Sequence, residues 1–224
     1  MPQASSLIER IRLDLQPVND KLLRHPYLRA LEDGRITREQ LRLFAGEQYI
    51  TIKSDLKSVA YLVSRSGDSL SRDFFLGVLQ GERQAADALL AFAGALGMDE
   101  RGLSEYEPTP GGQAYTCGMA WLALNGTAAE VAAAYLVNFP AWGQNCERMA
   151  RALRGRLGLG DQAVAFFDLF ASSPADFAAT ALAVIQAGLD AGGEERLIGR
   201  AASLLQGYEL MFWDTMYRAS VGSG

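Results

Sequence analysis

The chain has 224 residues, of which 49% are hydrophobic and 21% are charged, and its formal net charge is −5. This balance supplies a substantial core and argues against non-specific nucleic-acid binding, which needs a basic surface. The longest apolar stretches, 128–142 and 177–189, are too short and too rich in alanine to span a membrane comfortably. We therefore expect neither a nucleic acid nor a membrane as a partner.

Histidine and cysteine are scarce in this chain. It has one histidine, His25, and two cysteines, Cys117 and Cys146. One histidine cannot supply the His clusters of zinc, haem or iron sites, so we expect no metal ion or cofactor. His25 precedes Pro26 at a predicted helix boundary, which favours a structural or surface role over catalysis. The N-terminal segment lacks a signal-peptide core, and a reducing cytoplasmic location with free thiols is the simplest interpretation, with a disulfide left open.

Apolar residues recur at helical spacing through almost the whole chain, and no segment reads convincingly as a strand. Capping boxes begin at Thr37 and Thr127, and Ser173 is a good N-cap before Pro174. Short breaks favour one helical domain over 1–224 rather than two domains. The predicted helices cover 7–22 (kinked at Pro17), 26–32, 37–65, 71–96, 113–124, 127–156, 161–171, 174–191 and 194–219, with 98–112 as the main irregular segment.

Polar residues interrupt an apolar face of the helix predicted over 37–65. Gln48 and Asp55 fall on a stripe that otherwise consists of Leu41, Phe44, Ile52, Val59 and Leu62. Two interpretations stay open for this stripe. The polar side chains face an internal site, or the helix lies at the edge of the bundle and Asp55 is solvated.

A glutamate interrupts the last predicted helix in the same way. Leu205, Glu209, Phe212 and Met216 fall on one stripe, and three of these four residues favour an apolar interior. A carboxylate buried without partners is costly, so it usually finds hydrogen bonds or takes up a proton. The pattern suggests a cavity with chemistry or recognition in it. The alternative is that Glu209 pairs with an Arg or Tyr to hold helices together.

Residues 138–142 are typical of the wall of a small-molecule site. Pro140 removes a backbone donor in mid-helix, leaves a carbonyl free and is expected to kink the helix. Phe139 and Trp142 supply rings next to the polar Asn138. Tyr115, at the start of a predicted helix, is as compatible with the core as with a ligand.

Several motifs, taken in chain order, resemble the TenA, or class II thiaminase, family. They are residues 25–26 (HP), 31–34 (LEDG), 44–49 (FAGEQY), 115–116 (YT), 139–143 (FPAWG) and 208–214 (YELMFWD), of which the last is the most specific. The resemblance implies an all-α, haem-oxygenase-like bundle in a single domain. It also implies hydrolysis of aminopyrimidines, including breakdown products of thiamine, and self-association as a dimer or tetramer. Di-iron oxidases and a quinone-cofactor synthase of the same fold use several histidines and fit poorly.

The resemblance also implies roles for individual residues. Glu209 matches the glutamate that handles protons in the family. Tyr49 and Tyr115 match tyrosines that line the pocket, and Phe212 matches the ring that packs on the ligand.

Three further positions depart from the family pattern. Ala141 stands where the family has its nucleophilic cysteine, and a methyl group cannot attack a substrate. Gln48 replaces an aspartate, so it can hydrogen-bond a ring nitrogen but carries no charge. Phe170 replaces a pocket tyrosine. Cys146 lies five residues beyond Ala141 and points elsewhere around the helix, which makes it a poor substitute nucleophile.

These departures leave several functions open. One is hydrolysis of an aminopyrimidine-like C–N bond with Glu209 as acid or base and without the cysteine mechanism. The second is a non-catalytic binding or regulatory protein for a small heteroaromatic metabolite, and the third is a structural protein with a filled pocket. Glu47, Asp55 or Glu82 is available as a second carboxylate, and the sequence does not place any of them opposite Glu209.

Overall fold

A computed structural model describes residues 2–172 and 174–221 of the chain. Eleven α-helices and no strand make up these ranges, which confirms the all-α class predicted from the sequence. The helices are α1 (Pro2–Asp14), α2 (Gln16–Leu23), α3 (Pro26–Glu32), α4 (Arg38–Arg65), α5 (Ser69–Ala95), α6 (Glu100–Ser104), α7 (Ala114–Asn125), α8 (Ala128–Leu157), α9 (Asp161–Ala171), α10 (Phe177–Asp190) and α11 (Glu195–Val221).

The two long central helices begin where the sequence predicts. Thr37 accepts a hydrogen bond from the backbone N–H of Gln40, whose side chain accepts in return from the N–H of Thr37. Thr127 and Glu130 make the same reciprocal pair at the start of α8. Each box satisfies two backbone donors that a helix N-terminus otherwise leaves without a partner.

The largest differences from the predicted helices lie in three places. The first predicted helix is divided between α1 and α2 at Leu15, and Pro17 lies in the first turn of α2. The short helix α6 lies inside the segment predicted to be irregular, because Asp99 caps it by accepting from the N–H of Gly102 at 2.8 Å. Helix α10 begins at Phe177 rather than Pro174. The predicted N-cap, Ser173, lies outside the described residues.

The proline inside α8 leaves a carbonyl that another helix satisfies. Helix α8 runs continuously from Ala128 to Leu157 with Pro140 within it. The carbonyl four residues earlier, on Leu136, accepts a hydrogen bond from the Arg12 guanidinium at 3.0 Å. Pro140 therefore leaves the Leu136 carbonyl without its partner inside the helix, as predicted. The hydrogen bond from Arg12 to this carbonyl joins α8 to α1.

Helix α8 lies in the middle of the bundle, packed against α3, α9, α10 and α11, while α4 packs against α5 and α7. Buried side chains form two apolar clusters along this arrangement. A gap between them is bordered by α4, α5, α7, α8, α9 and α11. Over the described ranges, no helix combines the length and the hydropathy that a bilayer crossing requires.

Gly143 permits the close approach of α8 and α9 beside this gap. A Cβ atom at this position would lie 2.7 Å from the carbonyl oxygen of Phe170, which is backbone and cannot easily move. We expect Gly143→Ala to lower the free energy of unfolding by about 1–3 kcal/mol, as overpacking usually does. Gly155, on the same helix with nothing within 4 Å, provides the control. Gly155→Ala should raise stability by about 0.5–1 kcal/mol in the same urea titration, and equal effects would contradict this account.

Candidate functional site

A small cavity of about 50 Å³ lies between the two apolar clusters. A water molecule needs roughly 10–15 Å³ of such space, so the cavity admits a few waters but not an aromatic ring without side-chain movement. Its wall combines aromatic rings with carboxyl, amide and hydroxyl groups. The lining residues are Gln48, Thr51, Ile52, Asp55, Glu82, Tyr115, Asn138, Phe139, Trp142, Phe170, Glu209 and Phe212.

Five of the seven site residues expected from the sequence lie together on this wall. They come from α4 (Gln48), α7 (Tyr115), α9 (Phe170) and α11 (Glu209 and Phe212). Residues that are far apart in the sequence thus meet at one small space in the bundle.

Tyr49 and Ala141 lie outside the lining. The Tyr49 hydroxyl is 3.2 Å from the Ser104 hydroxyl, so this ring reaches toward α6 instead of the cavity. Ala141 is buried in one of the apolar clusters, and its neighbours Asn138, Phe139 and Trp142 form the α8 part of the wall. Ala141 is therefore not among the residues that line the space.

Glu209 is buried, with only 2% of its surface exposed. Its carboxyl group accepts hydrogen bonds from the Asn138 side-chain amide and from the Trp213 indole N–H, the latter at 3.0 Å. These neutral donors take the place of the Arg or Tyr partner that the structural alternative required. Burial raises the pKa of Glu209 to about 7, although both hydrogen bonds act in the opposite direction.

Asn138 is itself held in place by a chain of amides. Its side-chain NH₂ also donates to the Gln206 side-chain oxygen at 2.9 Å, and Gln206 in turn donates to Asn19. Asn138 and Gln206 are both buried, with 2% and 0% of their surfaces exposed to solvent. The orientation of the Asn138 donor toward Glu209 is thus fixed by two other helices.

Asp55 and Glu82 form a second acidic group on the wall, with 3% and 8% of their surfaces exposed. The interpretation of Asp55 as a solvated edge residue is therefore wrong. Asp55 accepts from the Thr116 hydroxyl at 2.5 Å, and burial raises its pKa to about 7. Burial and the neighbouring Asp55 charge raise the pKa of Glu82 to about 8. Repulsion between the two carboxylates favours at least one proton on the pair near neutral pH.

Glu47 lies elsewhere and has a structural environment. It accepts hydrogen bonds from the Tyr106 hydroxyl at 3.1 Å, from the backbone and side chain of Thr109 at 2.8 and 2.7 Å, and from Gln113 at 2.5 Å. These donors all belong to the segment between α6 and α7. Glu47 therefore anchors that segment to α4 and is not on the cavity wall.

The cysteines and the histidine also lie away from the lining. Cys117 is exposed and Cys146 is buried in the core, and they form no disulfide. Burial raises the pKa of the Cys146 thiol well above its usual range, which keeps it a poor nucleophile.

His25 caps α3 by accepting from the N–H of Tyr27 at 3.3 Å, and its other ring nitrogen is 3.1 Å from Asp214. His25 thus has the structural role that the sequence favours.

A wider outer cavity of about 410 Å³ adjoins the inner one. The two share four wall residues, Glu82, Phe139, Trp142 and Phe170. Helices α5 and α10 and the residues after α9 form the rest of the outer wall, which opens toward solvent. The shared side chains form the partition between an outer chamber and the inner carboxylates.

One contact on the wall was not predicted from the sequence. Asn138 and Trp142 belong to the 138–142 segment that was expected to form the wall of a small-molecule site, but the hydrogen bond from Asn138 to Glu209 was not expected. Glu82 carried a readable signal, since it interrupts a buried stripe on α5 formed by Phe75, Val78, Ala85 and Leu89. The helical spacing from Glu209 to Trp213 likewise allowed the indole contact to be anticipated.

The model of the TENA/THI-4/PQQC family matches residues 12–219. A 4-aminobenzoate synthase of Chlamydia muridarum (strain MoPn / Nigg) is 31% identical over 129 residues, which is 55% of this chain and 55% of that protein. The chain thus aligns with about half the length of this curated relative.

Solved structures show the same fold at low sequence identity. A TenA homolog from Pseudomonas syringae pv. tomato superposes with a TM-score of 0.80 at 13% identity, covering 94% of this chain and 92% of the other. Haem oxygenase-1 from the cyanobacterium Synechocystis, in complex with haem, gives a TM-score of 0.67 at 15% identity, covering 95% and 91%. The haem-oxygenase-like bundle expected from the sequence is confirmed.

Proposed function

The chain belongs to the TENA/THI-4/PQQC family, and from that premise we propose that it binds a small amino-substituted heteroaromatic and hydrolyses one of its C–N bonds. The observation that carries the proposal is Glu209, a buried carboxyl group on the cavity wall whose pKa of about 7 lies near the operating pH. A general acid or base works best under that condition. The resemblance to class II thiaminases favours an aminopyrimidine as the substrate class.

The wall has groups that complement such a ring. An aminopyrimidine presents ring nitrogens that accept hydrogen bonds and an amino group that donates them. Gln48 on α4 and Tyr115 on α7 supply polar groups, and Trp142 and Phe212 supply rings. Aromatic walls with a few convergent polar groups are typical of small-molecule sites.

The reaction proceeds without a covalent enzyme intermediate, because Ala141 offers no nucleophile and Cys146 lies in the core. Water adds to the ring carbon that bears the amine, and the Glu209 carboxylate takes a proton from that water. The C–N bond then breaks as Glu209 returns the proton to the departing nitrogen. Ammonia leaves, the ring keeps the oxygen, and no oxidant or reductant is consumed.

Ligand binding requires movement of the partition between the two chambers. The inner cavity is smaller than an aromatic ring, and Phe170, near the end of α9, belongs to both walls. Rotation of its ring joins the inner space to the outer chamber and provides a route for the substrate.

The acidic groups on the wall favour an aminopyrimidine over 4-aminobenzoate, the compound in the name of the chlamydial relative. Among the described residues that line the inner cavity, three are acidic and none is Lys, Arg or His. A benzoate carboxylate would meet Asp55, Glu82 and Glu209 with no compensating cation. A neutral or cationic ring therefore fits this chain better than 4-aminobenzoate.

A binding experiment tests the ligand class. At about 100 times its Kd, 4-amino-2-methylpyrimidine should raise the free energy of unfolding by about 2.7 kcal/mol, and 4-aminobenzoate at the same concentration should have little effect. Thermal unfolding with increasing ligand measures both. No stabilisation by the pyrimidine, or equal stabilisation by both compounds, would refute the assignment.

Ala141 favours a second candidate, a binding protein that retains the pocket without catalysis. Ammonia release from the same pyrimidine separates the two functions. Release at a rate proportional to protein concentration supports the hydrolase. Stabilisation without release supports the binding protein.

A further inference from the structure

Glu82 occupies an unusual position between the two chambers. It lines both cavities, it is 92% buried, and no group among the described residues donates a hydrogen bond to its carboxyl oxygens. Its oxygens are not among the described side-chain atoms that are fully buried without a partner, so they are accessible from the cavities. The side chain is therefore placed to receive a donor from a molecule in the cavity.

Further acidic side chains lie near Glu82 in both cavities. Asp55 lies beside it on α4, with the Thr116 hydroxyl as its donor. Asp73 and Asp176 stand on the wall of the outer chamber. Neither chamber has Lys, Arg or His among its described lining residues. The walls thus carry several carboxyl groups and no basic side chain to balance them when they ionise.

We propose that Asp55 and Glu82 form a binding site for a protonated primary or secondary amine carried by the ligand. This inference rests on the proposed function, because it assumes that the central cavity binds a small molecule. An ammonium group would satisfy the open acceptors of Glu82 with N–H donors and would supply the missing charge. The rings of Phe139 and Trp142, which border both chambers, provide faces that attract a cation.

The need for N–H donors sets the ligand apart from other cations. A quaternary ammonium group carries the charge but has no N–H to donate, so it leaves the Glu82 oxygens without hydrogen bonds. In the described ranges, no group of three or more His, Cys, Asp or Glu side chains is arranged to hold a metal ion. A hydrogen-bonding organic cation therefore matches the site better than a quaternary cation or a metal ion.

Cation binding should be coupled to proton release. Besides Asp55, the titratable groups that influence the pair are Tyr115 from α7 and Tyr135 from α8, and the pKa of both phenols is raised well above its usual value, mainly by burial. Glu209, whose pKa is about 7, is a further titratable carboxyl group on the wall of the inner cavity. The empty site holds at least one proton at neutral pH, and an ammonium group would displace it. Affinity should rise from about pH 6 to about pH 8.5.

Calorimetry on the native full chain with three matched probes tests the site. Benzylamine is a primary ammonium, benzyltrimethylammonium a quaternary cation, and benzyl alcohol a neutral analogue. We expect benzylamine to bind at least about tenfold more tightly than either of the others and to release protons in buffers of different ionisation enthalpy. Glu82→Gln, or Asp55→Asn as a second variant, should remove that preference. Asp87→Asn, at an exposed position of the same helix, should preserve it.

The outcomes also separate this inference from the proposed function. Equal affinity for the three probes, or an unchanged preference in both Glu82→Gln and Asp55→Asn, would overturn the ammonium site. If 4-amino-2-methylpyrimidine still stabilises the protein in that case, the proposed function survives. If benzylamine binds selectively while the pyrimidine does not bind, the ammonium site is supported and the proposed function fails.

Discussion

Glu209→Gln should lower the turnover of an aminopyrimidine by about 10²- to 10⁴-fold, which is the usual contribution of a general acid or base. The amide keeps the size of the side chain, and it can still accept from the Trp213 indole N–H that now lies 3.0 Å from the carboxyl group. Substrate binding should therefore change much less than turnover. Steady-state ammonia release measures kcat and KM separately.

The pH dependence of turnover provides a sharper criterion. In the native protein, activity should depend on a group with a pKa of about 7, and Glu209→Gln should remove that dependence from its residual activity. Trp213→Phe removes a hydrogen bond that stabilises the ionised carboxylate, so the dependence should move to higher pH. Asp87→Asn serves as the control and should leave the profile unchanged. Turnover by Glu209→Gln within about threefold of the native rate would contradict an acid–base role.

Periodicity pointed to three of the polar residues on the cavity wall, although it left open whether Asp55 was solvated. Gln48, Asp55 and Glu209 were singled out because each interrupts an apolar helical stripe, and all three line one cavity. A stripe identifies the buried face of its own helix, and a polar group on a buried face must meet either a partner or a cavity. This reasoning needs no knowledge of the neighbouring helices.

The two site residues that lie off the wall were expected from the family motif and not from periodicity. Tyr49 lies roughly 110° from the centre of the face that the lining residues Gln48, Thr51, Ile52 and Asp55 form on α4. Ala141 lies roughly 100° from the centre of the face formed by Asn138, Phe139 and Trp142 on α8. Helical geometry was thus sufficient to separate both residues from the wall.

Other features depend on how the helices pack and could not be obtained from one helix at a time. The juxtaposition of Asp55 and Glu82 requires the contact between α4 and α5. The Arg12 contact to Leu136 joins positions 124 residues apart. The separation of an inner cavity from an outer one depends on the side-chain positions of Phe139, Trp142 and Phe170. A sequence pattern indicates that such groups are buried but not which groups meet.

The acidic cavity should also make the protein less stable as the pH rises. Glu209 has a pKa of about 7 in the folded chain and an ordinary value of 4.5, so between these values the folded state binds the extra proton. Its contribution to stability is complete below about pH 4.5 and is lost as the pH rises through about 7. The difference corresponds to about 3 kcal/mol. Asp55 and Glu82 act in the same direction, up to about pH 8.

His25 has the opposite effect at the acidic end. Burial lowers its pKa below the usual value of 6.5 despite the nearby Asp214, so protonation favours the unfolded chain as the pH falls below about 6.5. Together these groups predict a stability maximum on the acidic side of neutrality. Above that maximum, the free energy of unfolding should decline by several kcal/mol to about pH 8.5.

Urea unfolding across this pH range measures the effect, with Glu209→Gln as the informative variant. Because the amide does not ionise, the variant should exceed the native protein in stability at about pH 8.5 by about 3 kcal/mol and approach it at about pH 5. Asp87→Asn, on exposed α5 surface, should follow the native curve. If the native protein were equally stable at both pH values, these carboxyl groups would not be buried in the folded chain as described. A variant that is more stable at alkaline pH yet loses turnover would show that the fold tolerates a destabilising carboxyl group where its chemistry needs one.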